Sequence, residues 1–269
     1  MGNAVKTSAI GWTDFSGGDL NFVTGCTPVS EGCANCYARR IYERFGRDFS
    51  QVTFHEDKLR RLWWKELPQY SPKRGVPHKP MAFVVDTGDL FHERVWSDEM
   101  WWAFDVFARR QDVIWQVLTK RPERMLREVQ GWCQSKHIET LPANVWLGVS
   151  AENQKRADER IPLLLETPAS ARFISVEPML EAVRLRPEWL ADVDWTICGA
   201  ESGPNRRGFD RCWAFDLYQQ CRYEGIPFFY KQGSHLRPGQ DTSLPRYGVV
   251  QEWPEDALKA GGSDGNLGA

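Results

Sequence analysis

An α/β fold built on a parallel sheet is predicted by three features of this 269-residue chain. Six short apolar runs rich in β-branched and aromatic residues punctuate it, helix-forming stretches lie between them, and strand starts recur about every thirty residues, the length of one βα unit. Such a repeat gives a barrel or a doubly wound sheet rather than an antiparallel one.

In chain order, strands are predicted at Met81–Asp86, Val113–Thr119, Val145–Ser150, Arg172–Glu177, Trp195–Glu201 and Ile226–Lys231. Helices are predicted at Ser97–Arg110, with Ser97 as N-cap, and at Pro122–Lys136, Glu152–Glu166 and Asp210–Glu224, with a further helical stretch over Arg39–Phe49. From about Pro254 onward the chain has Gly261, Gly262 and Gly265 and no apolar period. That segment, 254–269, is expected to be a mobile tail, leaving one domain over residues 1–253.

With 42% hydrophobic and 26% charged residues and a mean hydropathy of -0.51, the composition supports a packed core and excludes global disorder. Thirty-four Lys plus Arg against thirty-six Asp plus Glu leave a net charge of -2, so any polyanion site must be a local patch. The start, MGNAVKTSAI, lacks the basic-then-apolar layout of a signal peptide, and no apolar run approaches the length that crosses a bilayer. A cytoplasmic protein without membrane contact is expected.

Seven cysteines in such a chain read as metal ligands, reactive thiols or core residues rather than disulfides. Cys26, Cys33 and Cys36 fall on one turn-rich stretch with Gly25, Pro28 and Gly32, which is not how core cysteines are distributed. Two metal chemistries fit. Three thiolates can hold a cubic iron–sulfur cluster and leave one iron open for a cofactor or substrate, whereas purely electron-transferring clusters usually have four. A structural zinc would need a fourth ligand, for which His55, His78, His92 and Cys198 are the candidates. Cys133, Cys198, Cys212 and Cys221 read as core or incidental thiols, with Cys198, on an apolar strand, expected to point into the barrel toward a substrate.

Nearly every predicted strand ends in polar residues: Thr87-Gly88-Asp89, Lys120-Arg121, Ser150 with Glu152, Glu177, Glu201, and Lys231. In parallel α/β folds the ligand site lies at the carboxyl ends of the strands, although helix capping accounts for part of such a pattern. Lys120, Arg121, Arg206, Arg207 and Lys231 are candidates for binding an anionic substrate, with solvated or paired cations as the alternative. Thirteen tryptophans include the adjacent pairs Trp63-Trp64 and Trp101-Trp102, in each of which one ring is expected to be exposed. Exposed rings can stack bases, but packing of helix on sheet uses them as well.

Several of these segments together resemble a phage-associated three-cysteine-motif protein family. They are Gly25-Cys26, Ser30 through Ala38, Asp89-Leu90-Phe91, Leu118 through Arg121, Gly148-Val149-Ser150 and Gly199 through Gly203, and the likeness runs from about Trp12 to Gln232. That family is similar to a branch of the radical S-adenosylmethionine superfamily, with spore photoproduct lyase as a relative. The resemblance implies a partial (β/α)6 TIM-like barrel whose cluster loop lies at the C-terminal mouth. It implies a [4Fe–4S] cluster on Cys26, Cys33 and Cys36, S-adenosylmethionine as second cofactor, a 5′-deoxyadenosyl radical and an external electron donor. Six residues separate the first two cysteines where the superfamily usually has three, and Asn35 stands where an aromatic residue is usual.

By the same resemblance, Thr87, Gly88 and Asp89 would receive the methionine amino group, with Asp89 as acceptor. Ser150 and Glu152 would hold the ribose, and Glu177 and Glu201 would contact cofactor or substrate. Lys120, Cys198 and Lys231 are the candidate catalytic residues. The implied reaction is rearrangement or modification of a nucleobase, a modified thymine of phage DNA, of isomerase or lyase type. That would place the protein in a host cytoplasm with nucleic acid as partner. A peptide or small metabolite as substrate, or a zinc-stabilised nucleic-acid-binding or scaffold protein, is the alternative.

Overall fold

The computed structural model describes residues 7–254. Its centre is a six-stranded, all-parallel sheet in sequential order: β3 (Met81–Phe83), β4 (Ile114–Thr119), β5 (Val145–Ser150), β6 (Ala171–Val176), β7 (Trp195–Gly199) and β8 (Phe228–Gln232). Two short antiparallel ladders flank it, β1 (Val23–Thr24) with β2 (Thr53–Phe54) and β9 (Ser243–Leu244) with β10 (Gly248–Val249). The sheet curves into a half-barrel, the partial TIM-like barrel expected. The segment expected as a tail lies, beyond Pro254, outside the described residues.

Four connecting helices match the expected pattern within two residues: α3 (Ser97–Arg109), α4 (Pro122–Lys136), α5 (Gln154–Glu166) and α7 (Arg211–Tyr223). Three more are α1 (Tyr37–Arg44), α2 (Glu56–Leu62) and the single turn α6 (Pro187–Leu190), of which α2 and α6 were not predicted. Asn153 and Asp210 cap α5 and α7 by accepting from Arg156 N (2.9 Å) and Cys212 N (2.8 Å). Ser97 is not the N-cap of α3. That position is Trp96, whose N–H donates to Glu99 Oε2 at 2.8 Å. The helix expected over Arg39–Phe49 starts earlier and stops at Arg44, because Gly46 turns to φ 65°. Strand β3 ends short of Asp86 because Val85 adopts φ 59°, a left-handed conformation that ends an extended run.

Side chains alternate between the two faces of each strand. The outer face packs under the helices, with Trp115, Val117, Val149, Ile174 and Val176 in one core with Phe104, Met125, Ile161 and Leu217. The concave face is closed at its lower end by Trp12, Met81, Phe83, Ile114, Trp146, Phe173, Trp195 and Phe229. Gly148 makes room there: a Cβ on it would stand 2.5 Å from the Phe173 ring. Each large ring contributes about 1.5–3 kcal/mol of burial, so this plug stabilises the barrel as well as sealing it. The tryptophans are mostly used in this way. Trp64 is exposed as one ring of its pair, but Trp101 and Trp102 are both partly buried against the helix-covered core, which corrects the expectation for that pair.

Candidate active site at the mouth of the half-barrel

The same alternation that places aromatic rings low on the concave face places polar side chains at its upper rim. Lys120 Nζ donates to Ser150 Oγ at 3.0 Å, from β4 to β5, and stands 3.6 Å from Glu152 Oε1. Glu177, after β6, pairs with Lys231 on β8. Between them Gly199 keeps the wall open, since a Cβ there would meet Lys231 Cβ at 3.3 Å and Glu177 Cδ at 3.5 Å. Lys120 and Lys231 are about one-fifth exposed, so their ammonium groups reach the mouth.

Residues 25–36 lie across these strand ends and are tied, through backbone and side chains, to the ends of four of the six strands. On the β3 side Gly25 N donates to Thr87 O (3.0 Å), and Gly25 and Gly88 run backbone to backbone. Gly88 is needed for this approach, since a Cβ on it would stand 2.9 Å from Val23 O and 3.3 Å from Gly25 O, while Gly25, at φ 84°, is needed against the following turn, where a Cβ would stand 2.2 Å from Gln51 O. Past β4, Arg121 donates to Thr27 O (3.0 Å) and Thr27 Oγ1 (3.1 Å) and touches Cys26 Sγ (3.5 Å). Past β5, Glu152 accepts from Ser30 Oγ at 2.6 Å, and Arg156 holds Glu31 at 3.0 Å. Past β7, Glu201 accepts from Asn35 Nδ2 at 2.9 Å, and Arg40 donates to Ser202 O at 2.8 Å. Tyr37 completes the crossing by donating its hydroxyl to Asp86 O.

These ties revise the expected roles of several residues. Asp89 is buried and saturated, accepting from Thr119 Oγ1 (2.7 Å), Arg121 Nη1 (3.0 Å) and Phe91 N (3.0 Å), so its carboxylate is not a free acceptor for an amino group. Arg121 is buried with Asp89, Glu93 and the cysteine loop as partners, and holds that loop rather than a substrate anion. Burial opposes its charge, but Asp89 and Cys26 raise its pKa above the ordinary value. Glu152 is fully buried between Ser30, Lys120 and Arg160 (2.8 Å). Burial pushes its pKa up, yet Lys120 and Arg160 bring it below the usual value, so it stays charged in place and is not available to a ribose. Glu201 takes Arg207 as partner, which removes Arg207 from the substrate cations. Among the described residues the Arg206 guanidinium donates only to Gly203 O, at 3.2 Å, and it is half-buried beside the mouth.

Cys198 is corrected outright. It sits on the outer face with Val176 and Cys221, fully buried, its sulfur 3.6 Å from Met179 Sδ. Burial pushes its thiol well above the ordinary range. The side chain cannot reach the mouth because residue 198 alternates with Ile197, which faces the plug.

The three loop cysteines are free thiols at intermediate exposure. Burial, with Asp89 adding and Arg121 opposing, pushes Cys26 up to about 11. The donor set suits an iron–sulfur cluster: three unbridged sulfurs on one fixed loop, with a guanidinium at Cys26 to balance the charge of anionic sulfur ligands. Among the described residues no three His, Cys, Asp or Glu side chains gather closely enough to hold one metal ion. The candidate fourth zinc ligands are engaged elsewhere. His55 bonds Thr24 (2.7 Å), His92 uses both ring nitrogens on Thr27 (2.8 Å) and Arg94 N (3.1 Å), His78 lines a cavity with Arg222 and Trp253, and Cys198 is in the core.

Thr27, Ser30 and Asn35, the polar residues set between the cysteines, and Arg160 on α5, which bonds Glu152, were not among the expected site residues. Their signal was visible as hydrogen-bonding side chains in a loop that must be anchored. Among the described residues no helix is long and apolar enough to cross a membrane.

The chain matches no curated protein. A solved structure of spore photoproduct lyase complexed with dinucleoside spore photoproduct is similar at 9% identity and a TM-score of 0.45, covering 81% of this chain and 75% of that one. A mutant of spore photoproduct lyase with bound AdoMet and dinucleoside spore photoproduct is similar at 11% identity and a TM-score of 0.43. There the match covers 74% of this chain and spans 59% of the other. Residues 7–252, nearly all of the described chain, match the family described as protein of unknown function (DUF5131), and the chain belongs to that family.

Proposed function

We propose that this protein is a radical S-adenosylmethionine enzyme that holds a [4Fe–4S] cluster on Cys26, Cys33 and Cys36 and acts on a nucleobase. The observation that carries the proposal is the cysteine loop itself, three free thiols tied to the carboxyl ends of β3, β4, β5 and β7 over a polar-rimmed half-barrel. When bound, the cluster supplies the electron for reductive cleavage of S-adenosylmethionine. The chain's own part is to position reactants and exclude water, because a carbon radical reacts with whatever hydrogen is nearest.

Each rim group has a task in this reading. Lys120 offers an ammonium donor to carboxylate or phosphate and Ser150 a hydroxyl, while Glu177 and Lys231, paired with each other, present their remaining acceptor and donor positions together. Thr87 and Gly88 contribute backbone beside Gly25. The aromatic plug below keeps water from entering through the lower end. Tyr37, next to Cys36 and reaching Asp86 O, sets a flat ring beside the mouth that suits a flat substrate such as a nucleobase.

The test is anaerobic purification, iron and sulfide analysis, and a search for 5′-deoxyadenosine after reduction in the presence of S-adenosylmethionine. About four irons per chain with cleavage supports the reading. Tightly bound zinc and no iron after anaerobic reconstitution sinks it. Turnover of a peptide or metabolite, and not of nucleic acid, would retain the radical chemistry and replace the substrate.

A further inference from the structure

We infer that α1 and the 203–206 loop form a docking rim for a single nucleic-acid strand, which brings a base to the mouth. The inference deepens the proposed function, since the rim starts at the residue after Cys36, and it rests on that reading for what happens to the base.

Helix α1 leaves an apolar stripe uncovered. Tyr37, Ile41 and its C-capping residue Phe45 follow one another at four-residue steps and are 44%, 45% and 67% exposed. A second side of the helix, about 100° round from the stripe, is anchored, with Ala38 buried and the Tyr42 ring 5.1 Å from Phe49. Arginines border the stripe, because Arg40 and Arg44 lie three residues beyond Tyr37 and Ile41, on the neighbouring row of the same helix. Arg40 reaches the 203–206 loop and packs on Gly203, where a Cβ would stand 1.8 Å from its Nη1, and Arg206 bonds the carbonyl of the same glycine. Two guanidinium groups thus converge on Gly203 and a third, Arg44, stands one turn along. No acidic side chain among the described residues pairs with Arg40, Arg44 or Arg206.

Charge identifies the occupant. Residues 37–47 contain four arginines and one glutamate, in a chain whose net charge is -2. Cations gathered beside uncovered rings match a ligand that carries regular phosphates and flat bases, and single strands bind proteins through that pair of interactions. A duplex keeps its bases stacked and would leave the stripe uncovered.

The experiment measures anisotropy of a short fluorescein-labelled single-stranded DNA of mixed sequence against the full chain, purified and reconstituted anaerobically with iron and sulfide, over a salt series. Each arginine–phosphate contact contributes about 0.7 to the logarithmic salt slope, or about fivefold in affinity near 0.1 M salt. Arg44→Glu with Arg206→Glu is expected to weaken binding at least about twenty-fold and flatten the slope by about 1.4. Phe45→Ala is expected to weaken binding at least about fivefold with the slope unchanged. Absence of binding by the native protein, an unchanged slope in the double variant, or equal competition by polyglutamate overturns the inference, the last pointing to an acidic protein partner. Iron content on the same samples separates the two readings. Strand binding without iron removes the enzyme and leaves the rim, whereas iron with S-adenosylmethionine cleavage and no strand binding does the reverse.

Discussion

Ser30 and Glu152 are 122 residues apart in the chain and joined by a hydrogen bond of 2.6 Å, so the cysteine loop rests on a carboxylate that the sheet holds charged at the end of β5. Gly32 lies against the same group, and a Cβ on it would meet Glu152 Oε1 at 2.3 Å. Gly32→Ala is therefore expected to lift the loop from the strand end and lower iron retention after desalting, with far-UV circular dichroism unchanged. Glu152→Gln leaves Arg160 buried without its charge partner and is expected to cost about 3–5 kcal/mol in urea denaturation. Native iron retention in Gly32→Ala would remove Glu152 as the seat of the loop.

Cys33→Ala and Cys36→Ala are expected to abolish cluster assembly, because two thiolates do not hold the cube. Cys198→Ala should retain full iron and lose about 1 kcal/mol or somewhat more of stability, as expected for a small deletion in a packed interior. Iron and sulfide analysis with the visible absorption spectrum checks all three. Iron loss in Cys198→Ala would contradict its place on the helix-covered face.

Asp89→Asn distinguishes holding the loop from binding the cofactor. Asp89 and Arg121 form a buried pair at 3.0 Å, and Arg121 reaches on to Thr27 and Cys26. Removing the charge from one partner of such a pair is expected to cost about 3–5 kcal/mol. The variant should therefore show a lowered unfolding midpoint and faster cluster loss even without S-adenosylmethionine. Unchanged stability with weakened S-adenosylmethionine affinity would return Asp89 to the role of amino-group acceptor.

How much of this could be read from the sequence depends on the range of the interaction. Strands β4 to β8 were legible to within two residues because a buried parallel strand is a short apolar run whatever its neighbours. Val85 was not legible as the end of β3, since nothing in MAFVVD marks a left-handed valine. At the site, the cysteines and the polar strand ends were visible as chemistry, but their partners were not. Glu152, Glu201 and Asp89 looked like ligands because acids at strand ends usually are, whereas here the loop that brings the cysteines must itself be held down. Only the folded register shows that Ser30, Asn35 and Arg121 take these groups. Cys198 illustrates the period-two limit: one residue of phase decides between mouth and core.

Acid dependence gives a test away from the site. Asp194 precedes β7 and accepts from Arg172 N at 2.8 Å, and burial raises its pKa above the ordinary 3.8, with that hydrogen bond opposing. A carboxyl raised by folding binds its proton more tightly in the native than in the unfolded state. The ionised form thus costs stability at neutral pH, and the cost fades as pH falls through the raised native value and is gone below 3.8. Asp194→Asn keeps an oxygen acceptor without the charge. It should match or exceed the native protein in urea midpoint at neutral pH and lose that advantage toward pH 3.8. An advantage that grows on acidification would mean that Asp194 is stabilised as the anion, with Arg172 as its ionic partner.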